Sequence, residues 1–466
     1  MRPCRRTGTL APMTSLLDPP VIRDFAGELL VPGDAGYEER RRVVNAAVDR
    51  RPALIARCLG RDDVAAALRH AREQRLCVTV RGGGHAPAGA AVADDALVID
   101  LGRMRGVYVD PVRRRARVQG GATWSELDAA TQAHGLAVTG ARVPSVGVAG
   151  FTLGSGSGWL ERKLGLAGDA LVSARVVSAD GDVVEASADA HPELFWALRG
   201  GGAGLGVVVE LEFALAPVGP QVVGGLLGWP AERKGEVAAF YGALMAEAPD
   251  DLGGGLLLAD APPARFVPAA LQGRPMVAVV VLWTGSAAAA AAHVAPLRHL
   301  RPAFDTVGPL PYTAFQRLLE PPETLRARSH LEAGFLTALP SAHLDLPAPP
   351  PMSAVLFQPL GGAFARTAED ATPLGRRHAP WHWQAPIAWL DRARDGAALR
   401  WAGDVRGALA PWAAGETYPN FVSGRDASRV RAAHGPVVQA RLSAIRAEWD
   451  PDGLLRTPWE APRPLP

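Results

Sequence analysis

Three glycine-rich segments in the first half of this 466-residue chain restrict its fold more than any other feature: residues 81–85 (RGGGH), 154–158 (GSGSG) and 200–206 (GGGAGLG). Glycine lets backbone come close to a neighbour or a ligand without a Cβ in the way. The simplest reading, a nicotinamide-type Rossmann turn, fails on context. That fingerprint needs a strand, then the glycines, then a helix whose N-terminus faces a pyrophosphate. Here residues 200–206 follow a helical pattern (PELFWALR) and precede a strand pattern (VVVELEFAL). Residues 81–85 do follow a strand pattern, but the APAGAAVADD after them is not helical. No GxxxxGK[ST] is present, which excludes a P-loop. Each segment alone is equally well a turn. Three together are better explained by one long ligand laid across several backbone amides.

Charge and cysteine content narrow the class. Lys plus Arg number 49 against 47 Asp plus Glu, so neither a nucleic-acid partner nor a membrane surface is expected. Only Lys163 and Lys234 are lysines, and the arginine excess is read as compositional bias. With 48% hydrophobic and 21% charged residues, the chain is globular rather than disordered. Cys4, Cys58 and Cys77 show neither zinc spacing nor a CxxC pair, so no metal site is expected and the compartment read from them is reducing, hence cytoplasmic. The opening MRPCRRTGTLAPMTSLLDPP lacks the apolar core of a signal peptide, and the apolar run at residues 276–283 is too short to span a bilayer. Met13 is an alternative initiator to Met1, with the residues before it expected to be disordered.

Along the chain, the patterns predict a strand and helix over residues 52–70, then strands at 76–81, 96–101 and 115–119. Thr123 and Glu126 have capping-box spacing ahead of a helix. Two apolar runs around Asp180-Gly181 predict a hairpin. Pro192 opens a short helix. After Pro217 the texture shifts to longer Ala-rich helices and separated strands such as MVAVVVLW, SAVLFQPL and the run beginning at Trp381. YPNFV, at Tyr418, reads as strand-like, and a helix is expected from Ser428 to Trp449. The middle block therefore reads as an α+β insertion between two parts of another domain.

His85 adds chemistry to the first glycine run. An isolated histidine is most often a surface or satisfied core residue. At the end of Gly-Gly-Gly the backbone can approach a ligand, and neutral imidazole is a competent nucleophile toward an activated carbon.

At these residues the chain resembles flavoproteins of the berberine-bridge-enzyme type, within the vanillyl-alcohol-oxidase superfamily, and most closely bacterial members acting on natural products. RGGGH, VIDL, GGATW, GVAG, GSGSGWLERKLGL, HPELFWALRGGG and LGVV occur in the family's order. The resemblance covers residues 40–219 strongly, 405–456 moderately and the middle weakly. It implies an α+β fold: a two-part PCMH-type FAD-binding domain with an inserted α+β substrate domain whose antiparallel sheet is backed by helices. The implied boundaries are 1–30 for a partly disordered extension, 31–219 for the FAD domain, 220–414 for the substrate domain and 415–466 for the returning segment.

The resemblance also implies site roles. His85 would carry FAD by one bond to the flavin 8α carbon. Arg81, Gly82, Gly83 and Gly84, then Gly120, Gly121 and Thr123, then Val146, Gly147 and Gly150, and Gly154, Gly156 and Gly158 would lie along the cofactor. Val207 and Val208 would lie toward the adenine. A second, cysteinyl link found in some members is not expected, since Val143 holds that position. Ala90, five residues after His85, is small where relatives gate oxygen, which favours an oxidase. Tyr418 would lie beside the flavin ring and Asn420 would hydrogen-bond flavin or substrate. The sequence departs from the family at Ser155, at residues 455–460 (LRTPWE in place of FRLNQN) and at residues 332–335 (EAGF in place of KSxY), so relatives' substrates do not carry over.

For the proton chemistry, Tyr418 needs a lowered pKa to act as a base, since a free phenol titrates near 10. Asn420 is a positioning candidate, and Glu332, His378 and His382 are alternative bases. Trp381 and Trp383 form either an aromatic pocket wall or a core strand. The expected activity is oxidation of a small natural-product-like molecule by hydride transfer to covalently bound flavin, with O₂ as acceptor, in a monomer or homodimer. A redox-neutral cyclase or lyase on the same scaffold is the alternative, and a non-catalytic binding protein is a third class.

Overall fold

The computed structural model describes residues 21–320, 326–341, 344–423 and 427–457. Most of the N-terminal extension, Met13 and residues 458–460 of LRTPWE lie outside the described residues.

A four-stranded sheet comes first, in the spatial order Glu28–Leu30, Leu54–Arg57, Leu97–Asp100, Val78–Arg81. The last three strands run parallel, and Glu28–Leu30 pairs antiparallel at one edge. This sheet thus takes in residues ahead of the boundary expected at 31. The helix Arg61–Glu73 covers it with Val64, Ala67, Leu68 and Ala71, spaced for one helical face. At the opposite edge the C-terminal segment docks on Val78, whose amide donates to the Leu454 carbonyl at 2.9 Å and whose carbonyl accepts from the Arg456 amide at 2.8 Å. Leu454 and Leu455 join the core of this sheet.

A second, antiparallel sheet follows the order Val107–Asp110, Arg115–Gln119, Val207–Ala214, Leu171–Val177, Val183–Ser187. The hairpin expected at Asp180-Gly181 joins its last two strands. The helix Trp124–Gln132 begins at the expected capping box: the Glu126 carboxylate accepts from the Thr123 amide at 2.9 Å. The long helix Ala427–Trp449 packs on this part through Leu442 and Ile445. It breaks at Gly435, where φ is 74° ahead of Pro436.

The middle of the chain forms one nine-stranded antiparallel sheet. Its central strands include Pro275–Trp283, Leu252–Asp260, Ala354–Pro359 and Trp381–Trp389. Helices Lys234–Ala246, Ala287–His299 and Asp395–Leu409 back one face. The other face packs on Trp159, Leu160, Tyr312 and Phe315. With both faces covered, alternation is not required, which is why MVAVVVLW is apolar throughout.

One local expectation is corrected. Residues 419–421 form a single 3₁₀ turn rather than a strand. Pro419 has no amide hydrogen to give a ladder, and the turn aims Tyr418 inward.

Candidate active site and cofactor cradle

The cradle is built where the two smaller sheets meet. The chain leaves the strand Val78–Arg81 into Gly82-Gly83-Gly84-His85 and lies against the segment around Gly147. A Cβ on Gly83 would overlap the Gly147 amide nitrogen and come within 2.9 Å of its Cα. A Cβ on Gly147 would overlap the Gly83 nitrogen. Gly120 and Gly121 are equally tight against the Val208 and Leu101 carbonyls, and Gly158 against that of Gly140. Gly156 sits at φ 81° against Ala167. Most of these glycines are therefore demanded by backbone-on-backbone packing.

Two features leave room for a ligand. The amides of Gly82, Gly83 and Gly84 donate to no backbone carbonyl among the described residues. An added Cβ on Gly150, in the short helix Val148–Leu153, would meet nothing within 4 Å. Successive free amides suit an anionic group such as a pyrophosphate, and the open space beside Gly150 continues that path. The residues present fit a dinucleotide on these grounds.

His85 stands at the end of the free amides. Its Nε2 lies 3.0 Å from the Ser145 hydroxyl. Although solvent reaches part of the ring, the crowded cleft pushes its pKa down to about 4, with the hydrogen bond at Ser145 working against the shift. The imidazole is neutral near pH 7, as a nucleophile requires. Ala90 lies in the same loop, one residue after Gly89 at φ 67°. Val207 and Val208 open the strand Val207–Ala214, with the Val208 carbonyl against Gly120. Thr123 caps its helix, and Val146 accepts from the Trp124 amide through its carbonyl.

Tyr418 is fully buried in a ring of aromatic side chains: His382 at 4.8 Å, Phe335 at 5.0 Å and Phe421 at 5.5 Å between centroids. Asn420 donates to the Phe151 carbonyl at 2.6 Å and presses on Gly154. It ties the C-terminal segment to the glycine cradle. His382 shares a 3.0 Å contact with the Thr417 hydroxyl through Nε2, and its Nδ1 is buried without a partner. Burial, helped by the charge of Arg142, drives His382 well below the usual imidazole range, so it is neutral. Tyr418 runs against expectation: burial first, and then Glu161, raise its pKa well above 10. It is no standing phenolate.

A buried polar group whose charges act on Tyr418 was singled out by no sequence reading. Arg142 donates to the Ser157 hydroxyl at 3.0 Å and to Gln358. Ser157 donates to Glu161 at 2.7 Å. Glu161 is 1% exposed, and burial lifts its carboxyl to about 7 against the opposing effects of Arg142 and Ser157. These residues are far apart in sequence from Tyr418 and Gln358. The only available hint was a set of charges within an otherwise apolar, glycine-rich run.

Other expected residues are placed elsewhere. Glu332 is on the strand Arg328–Leu336, two residues from His330 and paired with Arg406 and Arg429 at 2.8 Å each. Burial raises its carboxyl, but the His330 hydrogen bond and both arginine charges outweigh that and hold it below the usual range. His378 is exposed and bound to Glu369 at 2.8 Å. Trp381 and Trp383 face the helix-backed core, on the side of their strand opposite His382. Val143 precedes Pro144, and Cys58 and Cys77 belong to other parts of the chain. No metal-binding cluster and no membrane-length apolar helix occur among the described residues.

Comparison with known proteins agrees with this geometry. The FAD binding domain family matches residues 52–187. The (R)-6-hydroxynicotine oxidase of Paenarthrobacter nicotinovorans is 29% identical over 95% of this chain and 98% of that protein. The crystal structure of 6-hydroxy-D-nicotine oxidase from Arthrobacter nicotinovorans superposes with a TM-score of 0.82 at 28% identity, covering 93% of this chain and 97% of that one. The BBE-like 1 protein of Physcomitrella patens shares the fold at a TM-score of 0.82 and 18% identity, over 94% and 97% of the two chains. The glycine cradle, the antiparallel sheet beyond it and these likenesses together make the chain an FAD-linked oxidoreductase with the fold of the berberine-bridge-enzyme-like, PCMH-type flavoproteins.

Proposed function

We propose that this enzyme is an O₂-using oxidase of a small molecule bearing a C–N or C–OH bond, with FAD held through His85. The observation that carries this is His85 itself: a neutral imidazole at the end of three free glycine amides, steadied by Ser145. Bound there, FAD would supply a two-electron hydride acceptor that O₂ could reoxidise, giving hydrogen peroxide. Gly82, Gly83 and Gly84 would hold its pyrophosphate, and Arg81, Gly150, Val207 and Val208 would line its length. The tight glycines Gly120, Gly121, Gly147, Gly154, Gly156 and Gly158, with Thr123 and Val146, keep the cradle closed behind it. Ala90 leaves room for oxygen near the ring.

Tyr418 and Asn420 would lie toward the reacting end of the bound cofactor. The Tyr418 hydroxyl, buried and short of a well-formed hydrogen bond, is placed to receive a proton from a substrate O–H or N–H. Asn420 positions the C-terminal turn. The ion-paired Glu332 is a weak base and serves the packing of its strand. The part expected over residues 31–219, extended by the edge strand Glu28–Leu30 and joined by the returning segment as far as residue 457, would hold the cofactor, and the part expected over 220–414 the substrate. The activity of the nicotine-oxidising relative makes (R)-6-hydroxynicotine the first amine to try.

Acid precipitation tests the attachment. Yellow pellet from the native protein and colourless pellet from His85→Ala are expected, while acid-stable flavin in the variant would place the bond elsewhere. For the reaction, peroxide released in step with substrate loss is expected. Turnover that continues without oxygen and without flavin bleaching would favour the redox-neutral cyclase or lyase instead.

A further inference from the structure

The loop that bears His85 gives several of its carbonyls to one short segment, residues 44–50. The Val44 amide donates to the Gly84 carbonyl at 3.2 Å. The Asn45 side-chain amide donates to the Pro87 carbonyl at 3.1 Å. Arg50 takes the next ones, donating to Gly89 at 2.9 Å and to Val92 at 2.7 Å. Backbone on both sides of His85 is thus held by the same segment. Asn45 does more than hold the loop. Its Nδ2 also donates to the Ser329 carbonyl at 2.9 Å, and its Oδ1 accepts from the Ser329 amide at 3.0 Å. Ser329 lies on the strand Arg328–Leu336 of the nine-stranded sheet. That strand pairs with Trp381–Trp389 along its whole length, but with Ala413–Gly415 only at Phe335 and Leu336. At Ser329 its second edge has no neighbouring strand among the described residues, and the Asn45 amide stands in for one. Both amide hydrogens and both oxygen lone pairs of Asn45 are in use, the Ala47 amide supplying the fourth bond at 3.0 Å. A cap for the sheet edge needs only the two bonds at Ser329. The bond to Pro87 ties that edge to the loop two residues past His85.

We propose that Asn45 is a positioning residue for flavin attachment: it sets His85 for the reaction by locking its loop to the edge of the nine-stranded sheet. The inference rests on the reading of His85 given above. In the attachment, one imidazole nitrogen of His85 bonds to the flavin 8α carbon. A C–H bond of that methyl group and the imidazole N–H break. The two protons and two electrons released reduce O₂ to hydrogen peroxide. Such a step needs the nitrogen and the carbon about 3–3.5 Å apart and aligned, and a misplacement of about 1 Å slows it strongly. The loop does not supply that order from its own sequence. Gly84 sits at φ 70° and Gly89 at φ 67°, so glycines flank His85 where the chain turns. Ser145 steadies the ring through Nε2, while Asn45, 7% exposed and fully hydrogen-bonded, steadies the backbone beneath it.

The test takes the purified holoenzyme and divides the flavin in its acid pellet by the total flavin, with the melting temperature measured alongside. Asn45→Asp keeps the acceptor positions but has no hydrogen for Pro87 at neutral pH, and Asn45→Ala loses all four bonds. Ser423→Ala is the control. Its hydroxyl accepts from the Leu331 amide at 2.8 Å, on the same strand edge, and makes no hydrogen bond to the His85 loop among the described residues. The pellet fraction is expected to fall about fivefold in both Asn45 variants, the factor to which one ordinary hydrogen bond corresponds. In Ser423→Ala it is expected to stay at the native value even where the melting temperature drops. A native pellet fraction in Asn45→Asp overturns the proposal, since the bond to Pro87 would then position nothing. An equal fall in Ser423→Ala also overturns it, since a weakened sheet edge would explain the loss. Should Asn45→Ala fail to fold, Asn45→Asp, which keeps the bonds from the Ser329 and Ala47 amides, decides. A colourless pellet from the native protein overturns the reading of His85 itself and this inference with it, whereas failure of the Asn45 role alone leaves the native pellet yellow.

Discussion

Gly83 and Gly147 interlock, and replacing one of them tests the whole account of the cradle. In Gly83→Ala the new methyl overlaps the Gly147 nitrogen and meets its Cα at 2.9 Å and the Ser145 carbonyl at 3.2 Å. All three obstacles are backbone, so no side chain can swing away. Forcing a methyl into such a contact costs about 1–3 kcal/mol, and the upper part of that range applies here. Moving the loops apart also loosens the 3.0 Å contact of His85 with Ser145, a further loss of about 1 kcal/mol. Gly150→Ala is the counterpart. Its methyl enters open space within a short helix, where alanine is favoured over glycine by up to about 1 kcal/mol. The assay is thermal unfolding alongside the fraction of flavin retained in an acid pellet. Gly83→Ala is expected to lower both. Gly150→Ala is expected to keep the melting temperature and lose flavin, because the proposed cofactor path runs beside it. Unchanged stability and flavin in Gly83→Ala would refute the interlocked cradle. Full flavin in Gly150→Ala would show that the cofactor takes another route.

Three further outcomes follow from the structure. Removing the carboxylate in Asp169→Ala leaves the Arg377 guanidinium, 2% exposed, without its bidentate partner, and is expected to cost about 3–5 kcal/mol in denaturant titrations. His434 is buried between Gly200 and Gln439, with its pKa pushed down to about 4. Unfolding lets this imidazole take a proton below about 6.5, so its penalty grows as pH falls from about 6.5 to about 4, reaching about 3 kcal/mol. The melting temperature is expected to fall across that window, and His434→Gln to flatten the slope. Tyr418→Phe is expected to slow anaerobic flavin reduction by about 10²-fold or more while leaving flavin loading intact, and an unchanged rate would remove Tyr418 from the chemistry.

The resemblance and the glycine spacing made the cofactor half legible because its determinants are local. Val78–Arg81 running into glycines, the Thr123–Glu126 box and the Asp180-Gly181 hairpin are each set by a few neighbouring residues. The same local reading failed at residues 418–422, where apolar content outweighed the meaning of Pro419. It left Trp381 and Trp383 undecided, because strand alternation gives two faces without saying which one meets the core.

The sequence by itself determined that the chain is a globular α+β protein and that the middle block is a separate sheet-and-helix layer, and it pointed to a glycine-lined ligand path ending at His85 as a proposal. Only the tertiary structure decided which glycines leave room for a ligand, since that depends on what each missing Cβ would strike: backbone at Gly83 and Gly121, nothing at Gly150. Only it decided that Glu332 is held by Arg406 and Arg429, while Glu161 is buried beside Arg142 with one oxygen lacking a hydrogen bond. Burial and charge separation set the protonation of such groups. Both arise from segments more than 200 residues apart meeting in space, as Arg142 and Gln358 do.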